Sequence, residues 1–176
     1  MQERAAPKGL TFDATKAQRT LLQAVLDARD KHGKNRIALE DADGIGVSYG
    51  RLVIGALALG RKLEALTRRG DHVAVMLPGV PGAVVTMLAL SAYGRIPALL
   101  NFTAGVRNLS AALKIAESGI IVTSRKFIET AKLEDVLSAL EAVEFTRRDG
   151  AVVRQKVVFV EDLRASLSKL DLARAA

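Results

Sequence analysis

The stretch RGDHVAVMLPGVPGAVVTMLALSAYGRIPALLN, residues 69–101, decides the fold. Residues 73–94 carry no charge over 22 positions, long enough to cross a bilayer. The run is broken in its middle by Pro78-Gly79-Val80-Pro81-Gly82. Two prolines and two glycines there force a turn and remove backbone donors that a spanning helix needs. The stretch therefore reads as a strand at 72–77, a tight turn, a buried helix at 83–92 and a second strand at 96–100. Both strands are apolar at consecutive positions, not alternate ones, which is the pattern of strands covered on both faces in a parallel sheet.

The same alternation continues toward the C-terminus, with a helix at 106–116, a strand at 119–123, a helix at 133–143 and a strand at 157–160. Right-handed crossovers join such units. The segment FTRRDGAVVRQ, residues 145–155, reads as a polar loop, and 162–176 as one closing helix. Toward the N-terminus, 37–40 and 45–49 flank Asp43-Gly44 and read as a hairpin, since Asp-Gly supplies the positive dihedral of a tight turn. Ser48 is placed to cap a helix carrying Leu52, Val53, Ala56, Leu59, Leu63 and Leu66 on one face. An earlier helix runs from Asp13 as N-cap to His32-Gly33, and residues 1–12 read as a tail or linker. The expected organisation is α/β, a mainly parallel sheet with helices on both faces, occupying residues 13–176.

Composition narrows the function. Of 176 residues, 49% are hydrophobic and 26% charged, enough apolar surface for a folded core. Aromatics are 4% with no Trp, so a stacking platform for single-stranded nucleic acid is not expected. The absence of Cys excludes disulfides, thiolate metal sites and a Cys nucleophile, and suits a reducing, cytoplasmic setting. The net charge of +7 is spread along the chain with acids interleaved, as in Asp27, Arg29, Asp30 and Lys31, so no basic stripe marks a nucleic-acid partner. The basic N-terminus is not followed by an apolar stretch and does not read as a signal peptide.

Individual motifs are weak. The turn at 78–82 has only two of the three glycines of a dinucleotide fingerprint, and Asn101, not an acid, ends the next strand. It reads first as a tight strand-to-helix turn, with a small nucleotide-binding role as the alternative. No Gly-Lys-Ser/Thr phosphate loop occurs. His32 and His72 lie in separate elements without clustered acids, so no metal site is expected. Ser124 sits at a helix start and reads as an N-cap in place of a nucleophile.

Three runs in order carry a family resemblance: Val47-Ser48-Tyr49-Gly50-Arg51-Leu52, then Arg69-Gly70-Asp71-His72-Val73-Ala74-Val75-Met76-Leu77-Pro78, then Leu88-Ala89-Leu90 through Gly94-Arg95-Ile96-Pro97. They resemble the opening of the AMP-forming acyl ligase superfamily, whose members begin with T/S-Y-x-x-L, G-D-x-V-A-x-x-L-P-N and L-A-x-x-x-A-G-x-x-x-P-x-N. Gly79 and Tyr93 depart from the usual Asn and Ala. Residues 97–105 and 122–129, with Phe12-Asp13 and Arg19-Thr20-Leu21, are similar to the acyl-(acyl-carrier-protein) synthetase half of bacterial 2-acylglycerophosphoethanolamine acyltransferases.

The resemblance implies the first third of a ligase that activates a fatty-acid carboxylate with ATP and Mg²⁺ and passes it to acyl carrier protein or CoA. The Ser/Thr/Gly-rich ATP loop and the catalytic Lys of such enzymes lie downstream of the matching region. The resemblance therefore assigns no catalytic residue, metal ligand or cofactor to this chain, and makes the remainder of the ligase its partner. It implies a cytoplasmic parent, with inner-membrane association following from the narrower likeness. The crevice of an open parallel sheet lies beyond the carboxyl ends of its strands, here Pro78-Gly79, Asn101-Phe102-Thr103, Thr123-Ser124-Arg125 and Glu161-Asp162. Asn101, Phe102 and Thr103 are the expected substrate-binding contributors. A subdomain separated from its ligase should bare apolar surface and self-associate. A non-catalytic α/β interaction module is the competing reading.

Overall fold

The computed structural model describes residues 14–175. The expected tail at 1–12 and the Asp13 cap lie outside the described residues. Helix α1 (Ala14–Ala17) stops early, and α2 (Leu21–His32) begins afresh because the Thr20 hydroxyl accepts a hydrogen bond from the Gln23 amide at 3.1 Å. The single helix expected here is thus two. Strands β1 (Ile37–Glu40) and β2 (Gly46–Ser48) pair antiparallel across Gly44, whose φ of 76° needs glycine. The Ser48 hydroxyl then accepts from Arg51 N–H and starts α3 (Tyr49–Glu64).

The decisive stretch folds as its pattern requires: β3 (His72–Val75), α4 (Pro81–Ala92) with Pro81 in its first turn, and β4 (Ile96–Leu99). Then come α5 (Val106–Ile115), β5 (Ile120–Thr123), α6 (Arg125–Ala131) and α7 (Glu134–Glu141). Helix α6 follows the cap expected at Ser124, whose hydroxyl accepts from Phe127 N–H, although its range was not legible in the sequence; Lys132 ends it in the left-handed region at φ 54°. Strands β6 (Glu144–Thr146) and β7 (Val152–Arg154) precede β8 (Lys156–Phe159), with α8 (Val160–Ala165) and α9 (Lys169–Ala175) closing the chain.

Two expectations are corrected in this last part. Residues 145–155 are not a polar loop: β6 and β7 pair antiparallel, Phe145 opposite Val153, around a turn at Gly150 with φ 85°. The sequence hides the hairpin because its strands are short and its turn, Arg147-Arg148-Asp149-Gly150, is strongly polar. The closing helix is also two, because Ser168 and Asp171 form a reciprocal cap: Asp171 Oδ2 accepts from Ser168 N–H, and Ser168 Oγ accepts from Asp171 N–H. Lys62 on α3 binds the same carboxylate at 3.0 Å and ties α9 to the body.

The central sheet has the order β4-β3-β5-β8, parallel throughout. Along β3 the side chains alternate between two cores. Val73 and Val75 join Leu59 and Leu63 of α3, Leu90 of α4 and Leu163 of α8. Ala74 and Met76 join Leu109 and Leu113 of α5, Ile128 of α6 and Leu140 of α7. Helices therefore cover both faces, and the consecutive apolar residues of the strands are accounted for. Thr123 and Ser118 inside the sheet are paired: Thr123 Oγ1 donates to the Met76 carbonyl at 2.7 Å, and Ser118 Oγ accepts from Ala74 N–H at 3.0 Å. Arg95, 7% exposed, donates to the Glu64, Thr67 and Tyr93 carbonyls and pins the end of α3 to the start of β4.

Candidate functional site

The chain leaves β3 toward β4 on one side, while β5 joins β3 on the other. Adjacent strands whose following connections part in this way leave a crevice at their carboxyl ends. A cleft of about 570 Å³ lies there, lined by Leu77, Pro78 and Pro81 after β3, Ser124 and Lys126 after β5, and Glu161 after β8. Its volume falls in the range that holds small molecules, roughly 300–1,000 Å³. Val47 of the β1–β2 hairpin and Arg164 of α8 complete the wall.

Electrostatics divide this cleft into a satisfied side and an open one. Glu161 is partly desolvated, which pushes its pKa up. The Ser124 hydroxyl, donating to Oε1 at 2.7 Å, and the backbone N–H groups of Glu161, Arg125 and Lys126 outweigh this and hold it below its ordinary value. The amides act through charge more than alignment, since Oε2 is buried without a well-formed hydrogen bond. A carboxylate thus sits on the first turn of α6, where unpaired amides favour negative charge. Arg125 makes two 2.7 Å bonds to Asp162 and lies 4.1 Å over the Phe159 ring. That bidentate pair lowers the Asp162 pKa and raises that of Arg125. Lys126 and Arg164 bring positive charge to the cleft, where they can hold an anionic group.

The residues expected at the site divide accordingly. Pro78, Ser124 and Glu161 meet in the cleft. Asn101, Phe102 and Thr103 follow the edge strand β4 and do not line it. Asn101 Oδ1 accepts from Thr103 N–H at 3.1 Å and from its hydroxyl at 2.7 Å, closing a turn, and Phe102 packs edge-on against Phe127 with ring centroids 4.9 Å apart. Lys126 and Arg164 were not foreseen. The visible signal was positional: Lys126 follows a strand end, and Arg164 lies one helical turn beyond Glu161.

A family model described as AMP-binding enzyme matches residues 26–173. The chain belongs to the AMP-binding enzyme family. Among curated relatives, acetyl-coenzyme A synthetase 1 of Debaryomyces hansenii is 33% identical over 103 residues, covering 54% of this chain and 15% of that protein. The 2-succinylbenzoate–CoA ligase of Oceanobacillus iheyensis is 24% identical over 127 residues, covering 72% of this chain and 26% of that protein. The chain thus spans about a sixth to a quarter of the length of these relatives. The N-terminal domain of FACL13 from Mycobacterium tuberculosis superposes with a TM-score of 0.67 at 16% identity, over 86% of this chain and 37% of that one. This last likeness concerns the fold.

The residues present do not by themselves fit the triphosphate and Mg²⁺ that the family resemblance implies. The turn at 78–82 has open space beside it, a Cβ at Gly79 meeting nothing within 4 Å and one at Gly82 meeting Arg164 Nη2 at 3.7 Å, but it lacks the Gly-Lys-Ser/Thr sequence of a phosphate loop. The first turn of α6 already holds the Glu161 carboxylate. Among the described residues, no group of three His, Cys, Asp or Glu side chains is placed to hold a metal ion.

Proposed function

We propose that this chain is the N-terminal part of an AMP-forming acyl ligase, and that alone it is catalytically silent. The complete enzyme would use ATP and Mg²⁺ to convert a fatty-acid carboxylate to its acyl-adenylate, then to a thioester of CoA or of acyl carrier protein. One observation carries the reading: the family match spans 26–173, and within it the switch-point cleft offers apolar walls and the cations Lys126 and Arg164, without the glycine-rich loop of backbone amide donors that a triphosphate needs. Those donors would come from the rest of the ligase, and this chain would supply the rear wall of a shared crevice. The narrower likeness at 97–105 and 122–129 favours acyl carrier protein as the acceptor and an inner-membrane role for the parent.

The test is formation of AMP by the complete gene product with fatty acids of graded chain length, with CoA or acyl carrier protein as the thiol. Fatty-acid-dependent AMP release is expected with one of the two. No AMP release with any carboxylate would sink the ligase reading and leave the non-catalytic interaction module. Within that enzyme, Asn101, Phe102 and Thr103 would border the acyl path where the β4 edge meets the next part of the chain. Asn101→Ala and Thr103→Ala should each lower kcat/KM about tenfold; unchanged kinetics would leave the turn purely structural.

A further inference from the structure

The amino edge of the sheet, opposite the cleft described above, carries a second concavity of about 550 Å³. It is lined by Arg68 from the loop after α3, Arg147 and Arg154 from the β6–β7 hairpin, and Lys156 opening β8, with His72 and Asp71 between them. These cations come from segments nearly 80 residues apart, so the sequence shows no basic run. The hairpin makes the assembly possible. Gly119 lets it lie against the sheet, since a Cβ there would stand 2.8 Å from Val153 Cγ1. Arg147, half-buried, is anchored by its Nε donating to the Glu117 carbonyl at 3.2 Å.

The charge gathered here is poorly compensated. Asp71 is the acid of the lining, and its Oδ2 accepts from the Arg68 backbone N–H at 2.8 Å. Arg154 is paired with Glu144 at 2.6 Å outside the concavity, while among the described residues Arg68, Arg147 and Lys156 make no ion pair. Like charges brought together without partners cost energy unless an anion joins them. Guanidinium forks suit phosphate oxygens, and an ammonium adds a point charge beside them.

We propose that this amino-edge concavity binds a small polyphosphate-bearing ligand, at a site separate from the carboxyl-edge cleft. A compact ligand is favoured over a polymer or a membrane because the cations converge on a concavity and not on a flat face.

The experiment uses the complete gene product with inorganic tripolyphosphate as the probe. Arginine modification by phenylglyoxal, resolved by residue with mass spectrometry, reads the site independently of any ligase activity. Tripolyphosphate should protect Arg68 and Arg147 but not Arg107, which lies on α5 away from the concavity. In calorimetric titration, Arg68→Gln and Lys156→Gln should each weaken the protected binding about tenfold, as loss of a charge-assisted contact predicts. Added salt should weaken it in parallel. Lys156 is exposed at the strand start, so its substitution keeps the test sound even if an Arg147 variant unseats the hairpin. Equal modification of Arg68 and Arg147 with and without probe would overturn the proposal, as would an equal loss of affinity in Arg107→Gln. Protection only by anionic lipid vesicles or by an acidic protein would overturn it in favour of a macromolecular partner.

Discussion

Glu161 closes a local circuit at the carboxyl edge: its carboxylate takes the Ser124 hydroxyl and faces the first amides of α6, while its neighbour Asp162 holds Arg125. Glu161→Ala should cost about 1–2 kcal/mol, the range for a lost helix cap with a charge-assisted bond. A urea midpoint equal to that of the parent chain would contradict this. The pH dependence has a definite sign. The Glu161 pKa is held below its ordinary 4.5, so the folded state binds fewer protons than the unfolded state as pH falls past that value. Its contribution is full above about pH 4.5 and is lost as pH falls through the lowered folded value; Glu161→Gln should flatten that part of the stability profile. Ser124 as a cap was legible from its place before a helix. Its partner was not, because a hydroxyl at a strand end does not announce a carboxylate 37 residues downstream.

Helices α3 and α4 approach closely at Gly60, where a Cβ would stand 2.7 Å from the Ala89 carbonyl oxygen and 2.5 Å from Tyr93 Cε2. The ring cannot swing away freely, since its hydroxyl donates to the Leu57 carbonyl at 3.0 Å. Gly60→Ala should therefore destabilise by about 1–3 kcal/mol, the overpacking penalty exceeding the gain of up to ~1 kcal/mol in helix propensity. Thermal unfolding at or above the wild-type temperature would show that the helices can separate at no cost. The strands of the parallel sheet were legible because burial on both faces leaves consecutive apolar residues, as at Val73 to Met76. The β6–β7 hairpin was hidden because only Phe145 and Val153 face inward, too few to outweigh Arg147, Arg148 and Asp149. The start of helix α6 was legible in Ser124 but its extent was not, since it runs only seven residues and ends at a left-handed lysine. For the site, the strand ends were legible but their grouping was not: the order β4-β3-β5-β8 brings the ends of β3, β5 and β8 to one cleft, with Pro78, Ser124 and Lys126 in its wall, and leaves Asn101–Thr103 beyond the edge strand, where their substrate role is a proposal.

For the whole molecule, the exposed apolar groups are informative. Ile96 and Leu99, 46% and 61% exposed, lie on β4, which among the described residues pairs with β3 alone, and Ile115 at the end of α5 is 82% exposed. A flat edge with apolar side chains is a template for pairing with another strand. The isolated chain should therefore sediment as dimers or larger species at micromolar concentration, and Leu99→Lys should shift it toward monomer. A monomeric wild-type chain would contradict the view that β4 needs covering. On the proposed reading, the catalytic groups belong to the rest of a longer ligase. The most direct measurement is ATP–pyrophosphate exchange, compared between the complete gene product and the 176-residue chain alone. The account predicts fatty-acid-dependent exchange in the former and none in the latter. Exchange by the short chain alone, or none by the complete protein with any fatty acid, would contradict it.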